Sequence, residues 1–314
     1  MTAVTAVTVR VPAKVNLQLA VGPVREDGYH DLVNVFHAVA LFDEVTVTAP
    51  PARAGRRAIR LTIDGNSGVD TAAVPLDDSN LAAKAAHLVA RETGATSPID
   101  IHLRKTIPVA GGMAGGSADA AATLVACNTF WEAGLSQNDL HTLAAELGSD
   151  VAFPLLGATA VGTGRGEQLT PIPSPGRYHW VFALSDTGLS TADVFAEYDR
   201  LRPQAPQPQS DPDLMAALAA GDAPRLGAAL GNDLQRAALS LRPDLGATLD
   251  AGRTAGALGA IVSGSGPTCA FLAASEAKAT AIATALEKTP HCARTIRTHG
   301  DVPGATVIER TPAS

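Results

Sequence analysis

Pro108-Val109-Ala110-Gly111-Gly112-Met113-Ala114-Gly115-Gly116-Ser117-Ala118-Asp119 is the stretch on which the reading of this chain turns. It follows an apolar run, Ile99–Leu103, that reads as a strand. It precedes an alanine-rich segment that reads as a helix from about Ser117 to Ala133, stopped by Gly134. Glycines let a backbone turn tightly and bring its N–H groups against an anion with no Cβ in the way. The helix behind them adds unpaired N–H groups and a positive dipole end. Four glycines in six residues ahead of a helix favour a phosphate cradle over a plain strand-to-helix turn with Ser117 as its N-cap. The loop contains neither GxxxxGK[ST] nor GxGxxG, so it is not a P-loop or a dinucleotide fingerprint.

Upstream, Val7–Val11 and Glu44–Thr48 alternate apolar and polar residues, as half-buried antiparallel strands do. In Val11-Pro12-Ala13-Lys14-Val15-Asn16-Leu17-Gln18-Leu19, a strand puts Ala13, Val15, Leu17 and Leu19 on one face and Lys14, Asn16 and Gln18 on the other. Lys14 and Asn16 then point together, either to solvent or to one anionic or hydroxyl-bearing ligand. Residues 50–57 read as a loop, Ile59–Ile63 as a strand, and Asn80 to about Glu92 as a helix ended by Gly94.

Downstream, a helix from about Asn138 to Leu147 ends at Gly148, and Ser149-Asp150-Val151 follows. This junction is either a pair of helix caps or a carboxylate placed to take a proton from a substrate hydroxyl, and spacing does not decide. Gly162–Gly166 reads as a turn at a domain junction. Tyr178–Leu184 reads as a strand, residues 203–210 as an exposed Pro/Gln-rich loop, and helices follow near 213–220, 223–230 and 243–255. Ser263-Gly264-Ser265-Gly266-Pro267 lies between strands 259–262 and 269–272. It is either a hairpin turn or a second backbone nest facing the first glycine loop. A helix at 275–288 and a strand at 305–309 complete the chain. Tyr29 and Phe195, in a chain with few aromatics, read as core or hairpin residues or as stacking platforms. Strands and helices mix on both sides of residue 160, giving an α+β class with domains at 1–160 and 161–314.

Composition narrows the function classes. The 314 residues carry a formal charge of −7, which excludes a generally basic nucleic-acid binder. Cys127, Cys269 and Cys292 form no CxxC pair, so neither a disulfide framework nor a structural zinc site is expected, and a reducing, cytoplasmic setting fits. No signal peptide is read at the N-terminus, and the most apolar long window, 256–274, is broken by glycines and a proline, so no membrane association is expected. The eight histidines show no metal-ligand spacing, and no GxSxG elbow is present.

Taken in order, Pro12–Leu17, the Pro108–Ala118 loop and Ser263–Thr268 resemble the three signature motifs of the GHMP small-molecule kinases. Arg25-Glu26-Asp27-Gly28-Tyr29-His30 and Leu147–Val151 resemble the branch that acts on a diphosphocytidyl methylerythritol alcohol in the non-mevalonate isoprenoid route. The resemblance implies two α+β domains with the active site in the cleft between them, ATP as co-substrate with Mg²⁺, and phosphorylation of the acceptor's 2-hydroxyl. It implies that residues 108–118 hold the ATP phosphates, with Gly111, Gly112, Gly115, Gly116 and Ser117 nearest, and that Asn80 and Lys105 approach ATP. It implies Asp150 as general base with Lys14 beside it, and Asn16 positioning the methylerythritol portion. Tyr29 and Phe195 would sandwich the cytosine, His30 would read its polar edge, and Thr191 would lie nearby. Ala110 stands where many relatives have a third glycine. No protein metal centre is implied. Other small alcohols such as homoserine or mevalonate are disfavoured as acceptors because they give Asp27–His30 nothing to stack. A non-catalytic nucleotide-binding module is disfavoured because it needs neither Lys14 nor Asp150.

Overall fold

The alternation near the N-terminus produces two long antiparallel strands, β1 (Val4–Val24) and β2 (His30–Thr48). The computed structural model describes residues 4–51, 58–66, 68–109 and 111–312; Ala110 and residues 52–57 of the expected loop lie outside them. The β1–β2 ladder shifts register between Pro12 and Ala13 and again between Asn16 and Gln18. Proline cannot donate to a ladder, so the first shift falls where the chain has no N–H to lose. The second shift breaks the simple alternation. Lys14 and Asn16 face a cavity, but Leu19 joins them there instead of Gln18. Gln18 instead donates to the Gln209 carbonyl at 2.7 Å and accepts from the Asp211 amide at 3.0 Å. The Pro/Gln-rich stretch is thereby fastened to β1.

The chain continues through β3 (Ile59–Gly65), α1 (Leu81–Thr93), β4 (Ile99–Lys105), α2 (Gly115–Phe130), α3 (Gln137–Leu147), α4 (Ala152–Leu156), β5 (Thr159–Thr163) and β6 (Gln168–Pro171). Then come β7 (Tyr178–Leu184), α5 (Thr191–Leu201), α6 (Pro212–Ala220), α7 (Ala223–Ala229), β8 (Gly231–Asn232), α8 (Gln235–Leu241) and α9 (Asp244–Thr254). The last elements are β9 (Gly259–Val262), β10 (Cys269–Ala273), α10 (Glu276–Leu286), β11 (Arg294–Gly300) and β12 (Thr306–Pro312). One sheet has the order β12-β1-β2-β4-β3, with β5 and β6 added beside β2 and β8 beside β1; the other runs β11-β7-β10-β9. This is an α+β architecture, as the composition of both halves suggested.

A cut after residue 160 falls inside β5, which pairs with β2 at residues 34–37. Gly162–Gly166 therefore closes the β5–β6 hairpin of the first sheet and is not a junction between domains. The C-terminal strand β12 also returns to the first sheet, pairing with β1 along residues 4–10.

Helix α2 starts at Gly115, two residues earlier than expected, because Ala114 takes a left-handed conformation at φ 60° and turns the chain there. Ser117 thus lies in the first turn and caps nothing. Alanines 118, 120, 121, 122 and 126 of this helix are fully buried, and their small size lets it sit close to the sheet and α1. The same core runs on through Tyr178, Trp180 and Phe182 of β7. A second core on the other face of the second sheet takes Val181, Phe271, Ile282 and Leu286, together with Leu19 and Val21 from β1.

Candidate active site

One cavity of about 940 Å³ lies between the first sheet and α5, lined by Lys14, Asn16, Tyr29, His30, Asp150, Thr191, Phe195 and the turn of the glycine loop. A smaller one of about 280 Å³ adjoins it, lined by Asn80, Lys105, Val109 and Asp119, with Gly115 and Gly116 common to both. Of the loop itself, Gly111, Gly112, Ala114 and Gly115 to Ser117 line the large cavity. Met113 and Ala118 are fully buried in the core, and Pro108 packs on Gly111, where a Cβ would lie 3.1 Å from its own. The amides of Gly115, Gly116 and Ser117 precede the first bond of the helix, Ala118 N–H to Ala114 O at 2.8 Å. Among the described residues these amides have no partner, as the first turn of a helix leaves them, and their residues line the cavity.

The two glycine turns meet. Gly112 adopts φ 67°, and a Cβ there would lie 2.5 Å from the Ser263 carbonyl oxygen. Ser263 Oγ donates to the Gly112 carbonyl at 3.2 Å. Asn232 Nδ2 fixes the second turn by donating to the carbonyls of Val262 and Gly264, at 2.8 and 2.7 Å. Of the two readings of Ser263–Pro267, a hairpin connection that also faces the first loop is what the fold contains.

Lys14 is buried, and its Nζ donates to Asn16 Oδ1 at 2.6 Å; Asn16 Nδ2 in turn donates to Asn34 Oδ1 at 2.8 Å. Burial pulls the Lys14 ammonium below the ordinary lysine value, while the charge of Asp150 acts the other way. Asp150 is half-buried at the turn before α4, and its carboxylate makes no hydrogen bond or ion pair with any described residue. Sequence spacing showed Lys14 and Asn16 on one face but gave no sign of Asn34, which lies on the neighbouring strand.

Lys105 differs from its expectation. An ammonium has three donors, and here they go to Asp43, to Asp119 at 2.6 Å and to the Gly115 carbonyl at 3.2 Å. All three are occupied, so Lys105 lines the smaller cavity with no donor left to offer a nucleotide. Burial alone would lower the Lys105 pKa, but the carboxylates of Asp119 and Asp43 outweigh it and the net shift is upward. Burial, with Asp43 nearby, pushes the Asp119 carboxyl up despite Lys105. Asp43 also accepts the amides of Thr106 and Ile107, at 2.6 and 2.8 Å, which ties the start of the loop to β2. Asn80 is likewise engaged, capping α1 at Ala82 and donating to the Pro75 carbonyl at 2.7 Å.

At the far end of the cavity stand Tyr29, His30 and Phe195. Phe195 lies on α5, a helix that sequence reading did not anticipate, since only Val194 and Tyr198 of its residues are buried. The His30 and Phe195 rings are 5.0 Å apart, and His30 Nε2 lies 2.8 Å from Asp199 Oδ1. Asp199 is four residues after Phe195 and so on the same helix face, which is the signal that could have found it. Thr191 Oγ1 meets Ser265 Oγ at 2.8 Å, joining α5 to the second turn. Arg165, which sequence reading passed over as part of a junction turn, places its guanidinium carbon 4.6 Å from the centre of the Tyr29 ring. Among the described residues, no group of three or more His, Cys, Asp and Glu side chains could hold a metal ion, and no helix is long and apolar enough to cross a membrane.

Residues 80–158 match the GHMP kinases N terminal domain and residues 214–292 the GHMP kinases C terminal domain. A 4-diphosphocytidyl-2-C-methyl-D-erythritol kinase from Thermobifida fusca (strain YX) is 67% identical over 98% of this chain and 100% of its own length. The enzyme of that name from Mycolicibacterium smegmatis is 53% identical over 98% of this chain and 94% of its own. Among solved structures, a 4-(cytidine 5'-diphospho)-2C-methyl-D-erythritol kinase superposes with a TM-score of 0.74 at 32% identity, covering 94% of this chain and all of that one. A homoserine kinase from Cytophaga hutchinsonii reaches the same TM-score, 0.74, at 21% identity over 96% of this chain and 97% of that one, which shows a common fold only. Fold alone does not separate the two chemistries; sequence identity does, and this chain belongs to the GHMP kinases and, within them, to the family of 4-diphosphocytidyl-2-C-methyl-D-erythritol kinases.

Proposed function

We propose that the protein transfers the γ-phosphoryl group of ATP to the 2-hydroxyl of 4-diphosphocytidyl-2-C-methyl-D-erythritol. The observation that carries this reading is the single cavity holding helix-start amides, a buried lysine, an unpartnered carboxylate and, at its far end, Tyr29 and Phe195. Phosphoryl transfer needs in-line positioning and charge stabilisation more than covalent help. The amides of the glycine loop and of the first turn of α2 take the β- and γ-phosphate oxygens. Asp150 accepts the proton of the 2-hydroxyl as its oxygen bonds to the γ-phosphorus, and the bond to the β–γ bridging oxygen breaks to release ADP. Lys14, oriented by Asn16, stabilises the alkoxide character developing on that oxygen. Asn16 also positions the methylerythritol portion.

At the other end, cytosine stacks between Tyr29 and Phe195. With His30 Nε2 held against Asp199, the other ring nitrogen, Nδ1, is left to meet the polar edge of the cytosine. Thr191 lies at the edge of that slot. Mg²⁺ is part of the reading. It needs few protein oxygens when it arrives on nucleotide phosphates, and Ser117, lining the cavity at the start of α2, would offer it a hydroxyl. When bound, it neutralises phosphate charge. A cytoplasmic setting also belongs to the reading, supported by three unpaired cysteines.

The test is ADP release from ATP and Mg²⁺ with the diphosphocytidyl alcohol, homoserine and mevalonate in parallel. ADP with the first alone is the expected result. ADP with homoserine or mevalonate instead would refute the cytosine site, and ATP binding without ADP from any acceptor would refute the kinase reading.

A further inference from the structure

We infer that Arg165 binds the diphosphate of the acceptor, its guanidinium face resting on Tyr29 while its N–H edge reaches the phosphate oxygens. This inference rests on the acceptor proposed above. The strong cations lining the large cavity are Lys14 and Arg165. Lys14 is buried beside the second glycine turn, 3.6 Å from where a Cβ on Gly264 would lie, and committed to Asn16. Arg165 belongs to the aromatic end, 4.6 Å over Tyr29, and its guanidinium makes no hydrogen bond or ion pair with any described residue. Five N–H donors are therefore free. Of the acidic residues lining the cavity, Asp199 is engaged with His30 and Asp150 belongs to the Lys14 end, so Arg165 faces no carboxylate that would satisfy it.

A guanidinium stacked on a ring keeps its donor edge exposed, and that edge matches phosphate bidentately. In a diphosphocytidyl alcohol the diphosphate joins the base to the alcohol. With cytosine at Tyr29 and the hydroxyl at Asp150, two negative charges must pass between those ends, within reach of a side chain anchored at the aromatic one.

The backbone presents Arg165 from a fixed pivot. Gly164 and Gly166 flank it at φ 71° and 111°, conformations that side chains rarely adopt. The Leu32 amide donates to the Gly164 carbonyl at 2.7 Å, and the Arg165 amide donates to Glu167 Oε2 at 2.8 Å. A Cβ at Gly162 would lie 2.7 Å from both Phe36 Cε2 and the Gly166 carbonyl oxygen, so the hairpin is pressed against β2.

The experiment is calorimetric titration of the whole chain with cytidine, CMP and CDP, with saturating ADP present to fill the nucleotide end. Wild type, Arg165→Met and Arg165→Lys are compared. Wild type is expected to bind CDP more tightly than cytidine, and Arg165→Met to lose about tenfold or more of CDP affinity. Cytidine affinity should change much less, and Arg165→Lys should recover part of the loss because the charge returns without the fork. Equal losses for cytidine and CDP would overturn the inference and make Arg165 a prop for Tyr29. Unchanged CDP affinity would overturn it as well. If wild type itself binds no cytidine compound while still binding ADP, the cytosine reading fails and this inference with it; cytidine binding with no gain from the phosphates refutes Arg165 alone.

Discussion

Lys14 and Lys105 are both buried lysines beside a glycine turn, at 5% and 2% exposure, yet they are held in opposite ways. Lys105 has all three donors filled and two carboxylates around one ammonium, and its pKa rises. Lys14 has one neutral partner and a carboxylate that influences it without pairing, and its pKa falls. A buried cation with counter-charge in excess is a brace. A buried cation short of counter-charge is completed when something anionic arrives, which in the proposed reaction is the substrate.

The hardest blow to that contrast comes through the carboxylate that Lys14 does not pair with. Asp150→Asn should lower kcat by about 10²–10⁴ through the loss of proton transfer, with ATP affinity, read by titration, nearly unchanged. Were Asp150 only a distant counter-ion, kcat would hold and only the pH profile would move.

Lys105→Met should act on stability. It strands Asp43 and Asp119 in the core, and breaking a buried pair this way costs about 3–5 kcal/mol. The midpoint of thermal unfolding should drop, and adding Asp119→Asn should restore part of it. An unchanged midpoint with lost turnover would reverse the roles assigned to the two lysines. Lys14→Met should do the opposite of Lys105→Met. Removing an undercompensated buried charge leaves the unfolding midpoint unchanged or higher, while kcat falls by about 10²-fold with the donor at the developing oxyanion gone.

The contrast between these lysines was only half legible in the sequence. Period-two alternation put Lys14 and Asn16 on one face, and the glycine count located the loop that lines the cavity. What made Lys105 a brace is non-local: Asp43 is 62 residues away in the chain and Asp119 is 14. No periodicity links positions on different elements. Arg165 was hidden for a related reason, because a glycine-flanked arginine reads the same in a domain junction as in a hairpin tip. Helix α5 and strand β11 carry few buried residues, so neither shows the apolar pattern by which elements are read. The register shift after Asn16 sent Gln18 away from the cavity, and only cross-strand pairing shows it.

The finest distinction between the two lysines is the sign of their pH dependence. The Lys14 pKa lies below its ordinary value of 10.5, so between the folded value and 10.5 the unfolded chain binds the extra proton. Stability therefore rises with pH across that window, relieving a penalty that is present in full below it, by at most about 1.4 kcal/mol per pH unit. Activity is expected to move the other way, since the role proposed for Lys14 uses its protonated form. The Lys105 pKa lies above its ordinary value, so its contribution is complete below 10.5 and lost only as pH rises through the folded value. Thermal midpoints of wild type and Lys14→Met, measured side by side on the alkaline side, should converge as pH approaches 10.5 if the variant starts higher. The alkaline fall in wild-type kcat/KM should begin below the ordinary lysine value, over the same interval. Midpoints that run parallel while activity falls would mean that a group other than Lys14 sets the alkaline limb.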